Sequence, residues 1–214
     1  MTRLPPRFVL RDSYESLLGP DAWARLNPAI RARFSAGAAH RPVTYEGVMQ
    51  RVEMSTAGRF LAQCCRLIGT PLALHAGVDV PTTVKVYPDD SLGGMAWDRS
   101  YRYAGRPTCR VRSTKRIDAA EGLLELIGFG FGMRLAVSEE AGALHFSSTR
   151  FFLAIAGRRI TIPLLLTPGV TRVSQTDLGD GEFRFELDVR HPLLGRTYYQ
   201  VGTFRAVERP PPAS

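Results

Sequence analysis

Four side chains of types that move protons or anchor ligands stand where the sequence is otherwise apolar: Arg99, Tyr101, Glu125 and His191. Side chains two apart in a strand point the same way, so the run Met95, Trp97, Arg99, Tyr101, Tyr103 puts a guanidinium and two phenols on one largely apolar face. A second run, Phe183, Phe185, Leu187, Val189, delivers His191 to its own apolar face. A guanidinium in such surroundings needs a carboxylate or a bound anion beside it. Glu125, on another apolar run, is the candidate carboxylate. Two readings follow: Arg99 is structural, paired with Glu125 or simply exposed, or it holds the anionic or carbonyl end of a ligand with Tyr101 assisting. His191 precedes Pro192 in a turn between two long strands, where its imidazole either caps the turn or points inward as acid or base. Trp97, Tyr103, Phe129, Phe131, Phe183 and Phe185 are the candidates for lining a ligand site, against the competing reading that strand aromatics are packing.

Other chemistries lack their signatures. His40, His75, His145 and His191 stand apart, with no His or Cys at ligand spacing, so no metal site is expected. Cys64, Cys65 and Cys109 are odd in number and read as reduced thiols. There is no Gly-x-Ser-x-Gly elbow and no P-loop, and no cofactor is expected. Gly128, Gly130 and Gly132 alternate with Phe129 and Phe131 at strand spacing, which predicts a sharp bend and not a phosphate loop. No apolar run reaches membrane-spanning length and the first residues lack a signal-peptide core, so a cytoplasmic address is expected.

The net charge of +8 is almost all arginine, with Lys85 and Lys115 the two lysines. Either a nucleic-acid partner or a plain use of arginine as surface cation explains it, and the dispersed arginines and missing nucleic-acid motif favour the second. The exception is the row Arg106, Arg110, Arg112, Lys115, Arg116, which either holds an anionic group or blunts an edge strand. The register across the loop at 104–107 decides whether Arg99 lies beside Arg110 and Arg112 or beside Val111 and Ser113.

These side chains need a frame. The first third reads as helical: Asp12 with Glu15 makes a capping box, Gly19-Pro20-Asp21 opens a second helix, and Asn27 before Pro28 caps a third. A strand follows over 43–54 with a bulge predicted at Gly47. Ser55 then caps a helix with Phe60, Leu61, Cys64, Cys65 and Ile68 on one side, ended by Gly69 and Pro71. From Val78 onward strand-like runs cover 78–87, 95–104, 108–117, 121–127, 129–138, 143–155, 159–166, 170–177, 182–190 and 196–207, with one merger expected. Hairpin-like turns between them predict a meander. So many strands must curl or close, and closure leaves a lumen. The expected fold is one α+β domain over 1–208, N-terminal helices packed on a large curved antiparallel sheet that closes into a barrel with an internal cavity. Residues 209–214 are expected to be a disordered proline-rich tail.

In this order the pieces resemble a bacterial domain-of-unknown-function family, numbered 4166, over most of the chain. The resemblance rests on Leu18-Gly19-Pro20 with Trp23 and Leu26, Tyr45-Glu46-Gly47, Trp97-Asp98-Arg99-Ser100-Tyr101, Glu125 with Gly128 and Gly130, Pro163 and Pro168, and His191-Pro192 with Gly195, Tyr199 and Gly202. Leu165 stands where that family usually has a bulky aromatic. Members are often fused behind a saccharopine-dehydrogenase-like nucleotide-binding domain, which implies association with a reductase as one possibility; none accompanies this sequence, so no nicotinamide role is expected. The resemblance supplies no catalytic residues. The residues themselves predict binding of a lipid- or polyketide-like hydrophobic small molecule, extending to its cyclisation or isomerisation without a cofactor by folding it into a near-attack shape. The competing classes are a non-catalytic carrier or partner module for a reductase, and a nucleic-acid binder.

Overall fold

The computed structural model describes residues 13–38, 41–66 and 72–207. Eleven antiparallel strands run through it: β1 Val43–Met54, β2 Gly77–Asp89, β3 Gly94–Tyr101, β4 Cys109–Asp118, β5 Gly122–Gly128, β6 Phe131–Glu140, β7 Ala143–Ile155, β8 Arg158–Ile162, β9 Val170–Gly179, β10 Glu182–His191 and β11 Gly195–Val207. Apart from β8 and β9, neighbours in sequence pair in space; β1 pairs with β11, and the β6–β7 and β7–β9 pairings complete a closed ring of ten. Strand β8 stays outside the ring, paired to the last part of β7. The architecture is a closed antiparallel barrel with few helices, which narrows the expected α+β fold to a largely β frame.

Local chemistry explains where the strands break. The expected merger does not occur: the runs stay separate, and Phe129 and Gly130 both take positive φ, 50° and 82°, in the two-residue hairpin turn that joins β5 to β6. The glycine-rich stretch is thus a turn between strands and not a bend within one. The bulge in β1 falls between Met49 and Arg51, three residues past the expected Gly47. Pro163 ends β8 early, and a single turn of 3-10 helix, Leu164–Leu166, crosses before β9.

Four short helices cover the barrel: α1 Tyr14–Leu18, α2 Pro20–Arg25, α3 Pro28–Phe34 and α4 Thr56–Arg66. Ser13 caps α1 in a reciprocal box with Ser16, while the predicted cap Asp12 lies outside the described residues. Pro20 opens α2, and the Asn27 side chain accepts the Ala29 N–H at 2.8 Å to cap α3, as expected. Tyr14, Leu26, Ile30 and Phe34 pack on Leu123, Leu135, Leu144 and Phe146 of β5 to β7. Helix α4 lies at the opposite end. Ser55 caps it by accepting the Gly58 N–H, and Ala62 and Cys65 are buried. Phe60 and Cys64 point outward, correcting the expected apolar side. Ile68, Gly69, Pro71 and the tail 209–214 lie outside the described residues.

Candidate functional site

Strand register builds the site. Lys115 and Glu125 are direct cross-strand partners on β4 and β5, and their charged atoms stand 3.0 Å apart with both residues 7% exposed. The Ser113 hydroxyl, one inward position along β4, donates to the same Glu125 oxygen at 2.6 Å. Arg99 on β3 lies opposite Val111 and donates to the Ser113 hydroxyl at 3.4 Å. The result is a line of polar groups, Arg99, Ser113, Glu125, Lys115, in an apolar interior. Burial pushes the Glu125 carboxyl up, but the Lys115 and Arg99 charges and two hydrogen bonds outweigh it and hold the group below its ordinary value. Burial holds Lys115 below its ordinary value despite the opposing pull of Glu125. Glu125 is therefore a carboxylate with Lys115 as its counter-ion, and Arg99 is the charge left over.

On the other side of the interior, the Tyr101 and Tyr198 hydroxyls both donate to the side-chain oxygen of Gln200, at 3.2 and 3.1 Å. Burial pushes both phenols above their ordinary values. Between these two polar groups lies a cavity of about 170 Å³, walled by apolar side chains of β6, β7 and β10 and bounded toward α4 by Cys65, Leu72, Ala73 and the segment Leu166 to Pro168.

The sequence-derived candidates fall into three groups. Arg99, Tyr101, Glu125, Phe131 and Phe185 line this cavity. Trp97 and Phe183 sit deeper, at a waist where they and Arg99 border a void of about 20 Å³. Beyond the waist a second cavity of about 220 Å³ lies under α1 and α3, and Trp97 lines it too. The indole N–H of Trp97 is buried with no hydrogen-bond partner. The remainder lie elsewhere. Tyr103 backs Tyr101, stacked on it with ring centroids 6.3 Å apart, and its hydroxyl donates to the His75 carbonyl at 2.7 Å. Phe129 is 78% exposed at the tip of its turn. His191 caps its turn: Nδ1 accepts the Leu193 and Leu194 N–H groups at 3.2 Å each, and Nε2 faces the Leu165 carbonyl at 3.3 Å. That network makes Nδ1 an acceptor and Nε2 the donor, and leaves no nitrogen to act inside the barrel.

Two further expectations are corrected. Arg99 and Glu125 form no ion pair, because Lys115 stands directly opposite Glu125 and takes it. The basic row also divides by parity: Arg110, Arg112 and Arg116 face outward, paired with Asp98, Asp89 and Asp118 at 2.6, 2.9 and 3.4 Å, while Lys115 faces inward. Arg99 accordingly lies beside Val111 and Ser113. Sequence reasoning missed Ser113 and Gln200 as site residues and grouped Lys115 with the arginines. The signal was present, since Val111, Ser113 and Lys115 share a phase opposite to the arginines. Among the described residues no cluster of His, Cys, Asp or Glu fits a metal ion, and no helix is long and apolar enough to cross a membrane.

Fold and site together define a closed antiparallel barrel with a polar line set into an apolar interior. The chain belongs to the family of the domain of unknown function DUF4166, whose model matches residues 26–204. It is similar to the uncharacterized protein YndH of Bacillus subtilis (strain 168), 25% identical over 194 residues that span 86% of this chain and 92% of that protein. No solved structure matches it.

Proposed function

We propose that the barrel binds a hydrophobic small molecule carrying a carboxylate or similar polar end, with Arg99 gripping that end and the apolar wall receiving the rest. The observation that carries this reading is Arg99 itself. Its guanidinium borders an apolar cavity with one long hydrogen bond to Ser113 and, among the described residues, no carboxylate in ion-pair range. A guanidinium cannot shed its charge, so a partly desolvated one without a counter-ion is a site for an anion. The cavity volume of about 170 Å³ suits a ring or short chain, since a cavity of about 150 Å³ holds benzene. Longer lipid- or polyketide-like molecules would have to displace the wall formed by Leu166 to Pro168. The geometry favours holding over proton transfer. The Tyr101 hydroxyl is committed to Gln200 and Glu125 to Lys115 and Ser113, so neither is poised as a base.

Native mass spectrometry of the purified protein should reveal a co-purified small molecule. Titration with fatty acids from hexanoate to dodecanoate, set against the matching alcohols, tests the anchor. Arg99→Met should weaken the acids by roughly 10- to 100-fold, the range a hydrogen-bonded charge supplies, and leave the alcohols unchanged. A folded variant that binds acids as tightly as the wild type removes Arg99 from the site. If the wild type takes neither series and carries no ligand, the reading fails.

A further inference from the structure

The two ends of the barrel differ in charge and in greasiness. At the α1–α3 end the turns and adjoining strand ends carry Asp89, Asp90, Glu121, Glu139, Glu140 and Asp180. At the α4 end the connecting segments 102–108, 129–130, 156–157, 163–169 and 192–194, together with 55–66 and 72–76, contain no Asp or Glu; the nearest acids in sequence are Glu53 at the end of β1, paired with Arg51 at 2.9 Å, and Asp79 at the start of β2. Their tips are apolar instead. Phe129 is 78% exposed, Leu193 77%, Leu166 75%, Phe60 71%, Leu165 56% and Leu194 50%. Among them stand the exposed cations Arg59, Arg102, Arg106 and Arg158, none paired with a carboxylate among the described residues.

This arrangement is held in place. His191 accepts from the Leu193 and Leu194 amides on one side and meets the Leu165 carbonyl on the other, so one imidazole staples the 3-10 turn to the β10–β11 turn. Leu165, Leu166, Leu193 and Leu194 therefore project from two loops tied together. Apolar tips ringed by unpaired arginines match an anionic bilayer, whose phosphates attract the cations while the acyl boundary receives the leucines. A nucleic acid would use the arginines and leave the leucines in water.

We propose that the α4 end of the barrel is a docking face for anionic phospholipid membranes, with the stapled leucines inserting and the surrounding arginines meeting headgroup phosphates. The cavity wall at Leu166 to Pro168 belongs to this same end, which places it toward the bilayer. Docking does not depend on what the cavity holds.

Co-sedimentation of the full chain with sucrose-loaded vesicles tests it. The expected result is binding to phosphatidylcholine vesicles containing phosphatidylglycerol, little binding to phosphatidylcholine alone, and loss as salt is raised to about 0.5 M. The double variant Leu165→Asp/Leu193→Asp should bind more than tenfold more weakly while its circular dichroism, melting temperature and fatty-acid titration stay those of the wild type. Arg158→Glu gives a second variant without touching the staple and should weaken the charge-dependent part. Leu178→Asp, at the opposite end, should change nothing. Absence of wild-type binding to the anionic vesicles, or undiminished binding by the leucine variant, overturns the proposal. So does a dimer or an RNA complex formed through these residues with no vesicle binding.

Discussion

At the residue scale, the interior polar line divides its work between a pair that settles itself and a cation that does not. Lys115→Met should be severe, because it leaves the Glu125 carboxylate buried with only the Ser113 hydroxyl and a distant guanidinium. A loss of about 3–5 kcal/mol is expected by urea denaturation, with most of it recovered when Glu125→Gln is added. Much of this line was legible in the sequence. The two-residue rhythm put Arg99, Tyr101, Phe131 and Phe185 on the inner wall, where they stand. Lys115 was lost by grouping it with arginines near it in sequence, although a one-residue offset sends neighbouring side chains to opposite faces. For His191 the turn-cap reading is the one that holds. Its phase points it inward, but β10 ends at that residue, and two free turn amides claim its Nδ1.

At the element scale, the β2–β3 turn hangs on Asp89, which accepts from the Ser91 and Leu92 amides, the Ser91 and Thr114 hydroxyls and the Arg112 guanidinium. Burial pushes its carboxyl up, but these bonds prevail and bring it down to about 2. Folded Asp89 thus binds its proton less readily than the unfolded chain does. Its stabilisation is complete above about pH 4 and disappears as pH falls from there through about 2, some ~2 kcal/mol in all. Asp89→Asn should remove that amount at neutral pH and flatten the acid limb of a melting-temperature profile. Helix α4 makes a different kind of contact. A Cβ on Gly58 would stand 1.8 Å from the Thr197 carbonyl oxygen, a backbone atom with no freedom to yield. Gly58→Ala should lift the helix and destabilise by about 1–3 kcal/mol. Maleimide labelling reads the lift directly. Exposed Cys64 should react promptly in the wild type, and Cys65, whose thiol burial pushes up to about 11, should react slowly until Gly58 is replaced. Caps and turns such as Asn27, Pro20 and Ser55 were legible because their partners lie within a few residues. The inner face of α4 was not, since packing on β11 needs a small residue where an apolar count looks for large ones.

At the whole-molecule scale, the rhythm announced many strands but not how they close. Pairing of β1 with β11 joins the two ends of the described chain, and a period of two carries no information about such distant partners. Folding of so non-local a topology belongs to the millisecond-to-second range. Hydrogen exchange should show the ring as one protected unit: amides of β1, β10 and β11 persist, while those of β8, bonded along one edge, exchange first. Early exchange spread evenly across β1 and β11 would contradict a closed ring. The fork at β7 separates scaffold from cavity wall. That strand gives Leu144 to Ser147 to β9 and Phe151 to Ile155 to β8, so the chain between β7 and β9 leaves the barrel and rejoins it. No bond between ring neighbours passes through this detour, yet its last residues wall the cavity. A change there can reshape the cavity without unstitching the hoop, so on the proposed reading the preference for a guest can be altered apart from the scaffold that surrounds it.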